Sequence, residues 1–247
     1  MDNKYGLSRT IPEPIKRLIR QNAGFGCVIC GNGIIEYEHV DPEFNEAKIH
    51  DPAYMTLLCP NCHAKVTSGM WSKQRVKDAM ANPICLTQGY SNELFDIGKN
   101  YPKIHFAGSI LENTPIPLMV NGVPIFEINP PAEANGVFRL SASFNDSKGN
   151  ETLTIKENEW FASSENWDVE VVGPQITIRE NKGRIAFQLI AIAPDTLRVT
   201  RIEMNLKGIK ISGNENEFSI TNPATKFTST FSNCFAKGSR IGFQIDI

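Results

Sequence analysis

The feature that most constrains this chain is a doubled cysteine spacing. Cys27-Val28-Ile29-Cys30 is followed, after a gap of 28 residues, by Cys59-Pro60-Asn61-Cys62. A two-residue spacer lets both thiolates of a pair turn toward one tetrahedral ion. A redox Cys-x-x-Cys accounts for one copy but not for the second, and unpaired core thiols account for neither spacing. Cys27, Cys30, Cys59 and Cys62 are therefore expected to bind a structural Zn2+. A four-thiolate site is closed, so that ion would hold structure and do no chemistry, in a segment expected to be too small to bury a core of its own. The remaining two cysteines, Cys85 and Cys234, are single.

The opening Met1-Asp2-Asn3-Lys4-Tyr5 has no apolar run behind a positive start. No secretory leader is expected, and a reducing cytoplasmic setting with metal-bound thiols follows rather than disulfides. No stretch approaches the about 18 apolar residues of a membrane span, so no membrane partner is expected.

The spacing predicts a helix over residues 12–23, with Ile15, Leu18 and Ile19 as its apolar stripe and Gly24 as its stop. A knuckle leading into a strand fits Phe25 to Val40. A turn entering a helix fits Cys59 to Thr67, and Ser72 caps a second helix over Lys73–Met80, which ends before Pro83. After about residue 90 alternation takes over. Leu153 and Ile155, Ile176 and Ile178, Ile209 and Ile211, and Ile241, Phe243, Ile245 and Ile247 each mark a strand with one buried face. Turn signals divide these strands: Asn121-Gly122, Asn135-Gly136, Lys148-Gly149-Asn150, Asn181-Lys182-Gly183 and Gly213-Asn214. The expected fold class is α+β. A small zinc-stabilised α/β module over 1–85 is joined by a connection over 86–102 to an all-β sandwich or barrel over 103–247, a β-solenoid being the weaker alternative.

Between the cysteine pairs lies Glu38-His39-Val40-Asp41-Pro42, and the second pair sits in Leu57-Leu58-Cys59-Pro60-Asn61-Cys62-His63-Ala64-Lys65-Val66-Thr67. This frame resembles the HNH endonucleases of ββα-metal fold. Ile11-Pro12-Glu13-Pro14-Ile15-Lys16-Arg17, followed by Gly24-Phe25-Gly26-Cys27-Val28-Ile29-Cys30-Gly31, is similar to one bacterial branch of them. The likeness spans roughly residues 9–82. It implies that His39 is the general base, that Glu38 and His63 hold a catalytic divalent ion (Mg2+, Mn2+ or Ni2+), and that the substrate is DNA, with RNA open as an alternative. A role in bacterial restriction or anti-phage defence is implied by analogy.

Chemistry supports such an assignment. A neutral imidazole accepts a proton from water near pH 7, and an ion with open positions polarises a phosphate. Neighbouring strand residues face opposite ways, so Glu38 and His39 converge only if the strand twists or ends there. One position departs from the family pattern. The middle residue, commonly an Asn that orients the base, falls at Tyr54. Either the Tyr54 hydroxyl takes that role at longer reach, or His50, Asp51 or a backbone carbonyl does.

The net charge of −2 is not that of a generally basic chain. Residues 1–90 hold 10 Lys and Arg against 9 Asp and Glu, and the rest hold 15 against 18. Phosphate contact would have to come from two clusters, Arg9, Lys16, Arg17 and Arg20, and Lys65, Lys73, Arg75 and Lys77. Within these, Arg17, Arg20, Lys65 and Lys73 are the nucleic-acid-binding candidates. The acidic balance of the β region suits a protein, a second copy of the chain or a small ligand better than DNA. Trp160, Phe161 and Trp167 cluster in its sequence, as a sandwich plug or a stacking platform. The alternative to a nuclease is a degenerate zinc scaffold that works by binding through its β domain.

Overall fold

The computed structural model describes residues 2–246, so Ile247 of the last alternating run lies outside the described residues. The fold class is α+β, and the chain divides into two compact units. One comprises Met1–Glu93 and Ala162–Val171, and the other Leu94–Phe161 and Val172–Ile247.

In the first unit helix α1 runs over Glu13–Ala23, and Gly24 closes it in the left-handed region at φ 69°. A Cβ at Gly24 would also lie 2.8 Å from the Cβ of Cys85, so both conformation and space require glycine there. Strands β1 (Glu36–His39) and β2 (Met55–Leu58) pair antiparallel, with His39 opposite Met55. Helix α2 (Pro60–Thr67) follows directly, then α3 (Lys73–Ala81), where the Ser72 side chain accepts from the Arg75 N–H as its cap. The connection expected over 86–102 is partly regular: α4 covers Ile84–Gln88 and β3 Tyr90–Leu94.

Two expectations for this unit need correction. It has a core of its own: Ile19, Val28, Leu57, Leu58 and Val76 are all buried in one cluster with the cysteines. Leu18 is 46% exposed, and the buried face of α1 carries Ile19, Ala23 and Arg20 instead. The guanidinium of Arg20 finds partners that make this burial tolerable. Its Nε and Nη2 donate to the two carboxylate oxygens of Asp168 at 2.8 and 2.9 Å. Nη1 donates to the Tyr37 hydroxyl at 2.8 Å, and Nη2 also meets Glu13 at 2.6 Å. Both Arg20 and Asp168 side chains are only 2% exposed. A bidentate pair that leaves few donors free is the geometry in which a buried charge is tolerated.

The second unit is a β-sandwich. One sheet contains the antiparallel run β8 (Phe126–Asn129), β9 (Arg139–Asn145), β10 (Glu151–Lys156) and β11 (Glu159–Ser163). The larger sheet contains β13 (Gln175–Asn181) through β14 (Arg184–Ile192), β15 (Thr196–Leu206), β16 (Ile209–Gly213), β17 (Glu217–Asn222) and β18 (Phe227–Ser232). The strands between and around these are β4 (Lys103–Phe106), β5 (Ser109–Glu112), β6 (Ile116–Val120), β7 (Val123–Pro124), β19 (Phe235–Lys237) and β20 (Ile241–Ile245), while β12 (Asp168–Val172) falls, but for Val172, in the first unit. Among the described residues, parallel pairings join distant segments: β4 with β15, β5 with β19, and β6 with β20.

The alternating residues read from the sequence point inward, from Leu153 and Ile155 to Ile209 and Ile211. Phenylalanines bridge the layers. Phe144 stacks on Phe187 at 3.9 Å between ring centroids, and Phe126 meets Phe106 edge-on at 5.9 Å. Trp160 is buried in this unit, and Trp167 belongs to the first unit. No helix among the described residues is long and apolar enough to cross a membrane.

Replacing Arg20 by Met removes the guanidinium that pairs with both oxygens of the buried Asp168 carboxylate. The expected loss is about 3–5 kcal/mol of stability, read from chemical denaturation. The double variant Arg20→Met with Asp168→Leu is expected to regain most of it, since a packed apolar pair has no charge to desolvate.

Candidate functional site

The first cysteine pair follows α1. Its turn closes with the Gly31 N–H donating to the Cys27 carbonyl at 2.9 Å, Gly31 standing at φ 84°. The second pair opens α2, where the sulfur of Cys59 accepts from the Cys62 N–H at 3.4 Å. All four sulfurs lie within 4.8 Å of one another. Cys30 is 3.6 Å from Cys59 and 3.8 Å from Cys62. Four thiolates about 2.3 Å from one ion make a tetrahedron with edges of about 3.8 Å, so the cluster fits a structural metal such as zinc.

Its electrostatics point the same way. Hydrogen bonding from Cys30 holds the Cys27 thiol down to about 5, while that same interaction, with burial, pushes Cys30 up. Burial and the charge on Cys27 push Cys62 up to about 12. A cation bound among the sulfurs would favour their thiolate forms. One zinc per chain is expected on elemental analysis of purified protein. Cys59→Ser is expected to lose that zinc and to lower the melting temperature of the first unit.

The sulfur cluster also positions the next residue. His63 follows Cys62 on α2, and its N–H donates to the Cys59 carbonyl at 2.8 Å. Its ring lies between two carboxylates of β1: Nδ1 is 2.8 Å from Glu36 Oε2 and Nε2 is 2.9 Å from Glu38 Oε2. Glu36 and Glu38 share a strand face because side chains alternate with period two. Lys73 of α3 pairs with the other oxygen of Glu38, and its ammonium lies 3.7 Å from Glu43. With a proton on Nδ1 given to Glu36, the Nε2 lone pair of a neutral His63 faces the Glu38 carboxylate. Two acceptors in that relation are reconciled by a proton or by a cation.

β1 ends at His39, which resolves the facing problem. Glu38, His39 and His63 line one cleft of about 370 Å3, together with Arg9, Phe44 and Lys73. The Nε2 of His39 is 3.1 Å from Nδ1 of His50, and Nε2 of His50 is 2.9 Å from the Ser8 carbonyl. Burial, and after it the neighbouring His50, hold the His39 imidazole below its ordinary pKa, favouring the neutral, proton-accepting form.

Tyr54 is not in this cleft. Its side chain is 54% exposed, it makes no side-chain hydrogen bond among the described residues, and only its carbonyl is used, accepting from the Val40 N–H at 3.0 Å. The residue immediately precedes β2, and its ring is exposed. Of the groups weighed for orienting His39, the Tyr54 hydroxyl makes no hydrogen bond to it among the described residues, whereas His50 does.

The basic candidates separate. Arg20 is buried on Asp168 and unavailable to phosphate. Arg17 lies over the Trp167 ring at 4.6 Å. Lys65 and Arg75 flank the Trp71 ring at 4.6 and 4.3 Å, and Lys73 is engaged by Glu38 at the cleft. Sequence reasoning missed Glu36 and gave Arg9 no role at the cleft. The signal for Glu36 was its spacing of two from Glu38. Nothing in the sequence marks Arg9, whose cleft position depends on how the N-terminal segment folds back. Comparisons of the chain with protein-family models, curated proteins and solved structures find no match.

Proposed function

We propose that the first unit is an HNH-type, metal-dependent endonuclease that hydrolyses phosphodiester bonds in DNA. The observation that carries this reading is the convergence of His39, Glu38 and His63 on one cleft at the end of a two-strand-plus-helix element. Attack by water on phosphorus requires a base for the departing proton, positive charge beside the phosphate oxygens and stabilisation of the leaving oxygen. His39 takes the proton from water. Arg9 and Lys73 supply positive charge at the cleft, and Lys73 is free to serve phosphate once its bond to Glu38 is given up. Glu36 fixes the ring of His63 and the proton on its Nδ1, which leaves Nε2 as a ligand atom beside Glu38. A divalent ion held by Glu38 and His63 would supply Lewis-acid polarisation of the phosphate.

Supercoiled plasmid incubated with the protein and Mg2+, Mn2+ or Ni2+ is expected to be nicked, and His39→Ala to lower the rate by about 10²–10⁴-fold, the contribution of a positioned base. Absence of nicking with all three ions would favour the binding-scaffold alternative, and cleavage confined to an RNA substrate would reassign the polymer.

Tyr54→Phe is expected to leave the rate within about twofold of wild type, because an exposed surface substitution with no bonded partner changes little. A large loss, measured in the same assay, would return the orienting role to that hydroxyl.

A further inference from the structure

The chain between β1 and β2 and the segment before α1 are locked together beside His39. Asn3 Nδ2 donates to the carbonyls of Phe44 and Ala47, both at 2.6 Å, while its Oδ1 accepts from the N–H groups of Tyr5 and Leu7 at 3.0 Å. The Arg9 guanidinium lies 4.5 Å from the Phe44 ring, and that ring meets His39 edge-on at 5.4 Å. The same fold-back delivers the Ser8 carbonyl to His50, which is 8% exposed.

A carbonyl only accepts. His50 Nε2 must therefore carry the hydrogen of that 2.9 Å bond, and the Nδ1 of a neutral His50 is then an acceptor. Its partner at 3.1 Å, His39 Nε2, must in turn be the donor. The polarity of the chain is fixed from the backbone end: Ser8 carbonyl, His50, His39. His39 is left with its lone pair on Nδ1, which makes no hydrogen bond among the described residues. Tautomer choice is usually set in this way, by the hydrogen bond that the other ring nitrogen makes.

We propose that His50 and the N-terminal segment Asn3–Arg9 form a positioning device that fixes His39 as the Nε2–H tautomer and presents Nδ1 as the proton acceptor. Its catalytic meaning rests on the nuclease reading, while the tautomer lock itself does not. His50 is a positioning residue, acting on substrate only through His39. It takes the orienting role that the sequence left open between Tyr54, His50, Asp51 and a backbone carbonyl. Asn3 acts one step further back, by holding the segment that supplies the Ser8 carbonyl.

Nitrogen-15 NMR of the ring-labelled, full-length protein separates the two tautomers by which ring nitrogen gives the pyrrole-type signal. Wild-type His39 is expected to show that signal at Nε2. His50→Leu is expected to mix the tautomers and to slow plasmid nicking roughly a hundredfold, the lower end of a base's contribution. His50→Gln keeps an acceptor toward His39 and a donor toward Ser8, and is expected to restore both the signal and most of the rate. Asn3→Ala, remote from the cleft, is expected to give a smaller change of the same kind. An Nδ1–H tautomer of His39 in the wild type, or an unaltered signal in His50→Leu, would overturn the proposal, and the wild-type spectrum decides even if that variant fails to fold. An unaltered signal in Asn3→Ala would remove the segment from it. A locked tautomer in a protein that nicks no plasmid would support the device and overturn the nuclease reading.

Discussion

Four sulfur atoms gathered within 4.8 Å are the constraint on which the first unit depends. They join the turn after α1 to the cap and first turn of α2, and so determine where α2 begins relative to β1. His63 is one residue beyond that anchor, and its distances to Glu36 and Glu38 follow from it. Apolar packing around Ile19, Leu57, Leu58 and Val76 supports the same arrangement from below, but packing is tolerant of small displacements. A metal-sized cluster of thiols is less so, because its ligand distances are fixed to a few tenths of an ångström. A site that needs a carboxylate and an imidazole 2.9 Å apart gains from being built next to it.

The cleft is organised by polar contacts of a second kind. Each of its two histidines has one nitrogen engaged from behind, His63 by Glu36 and His39 by His50, leaving the other nitrogen with a defined chemical character. Ligand or base function requires a lone pair at a known atom, and an imidazole with two free nitrogens does not provide one. The buried Arg20–Asp168 pair is a third polar element, with a different result. It spends a positive charge on structure, holding α1 and the Ala162–Val171 segment in one unit, and so removes from the surface a charge that composition alone would credit to substrate binding.

In the second unit a different force dominates. The layers of the sandwich are joined by phenylalanines, with Phe144 against Phe187 and Phe126 against Phe106, and aromatic pairs of this kind add to the burial of their area. Parallel pairings such as β4 with β15 close the sheet between segments far apart in the chain. Such pairings cost loop entropy that only a large buried face repays.

Much was legible in the sequence because it is local. The doubled Cys-x-x-Cys, the stop at Gly24, the cap at Ser72 and the alternation around Ile176 or Ile209 each depend on residues a few positions apart, and local geometry dictates the outcome. The candidate site was half legible for the same reason: Glu38, His39 and His63 sit at fixed offsets from the cysteines. Tertiary structure alone decided the rest. Arg20 looks like a surface charge until Asp168, 148 residues away, arrives to pair with it. His50 and Tyr54 are four residues apart, and only the fold-back of Asn3–Arg9, which brings the Ser8 carbonyl to His50, separates the one that bonds His39 from the one that faces solvent. Sequence fixes what each side chain is able to do, whereas its partner is chosen by contacts between segments that no local pattern connects.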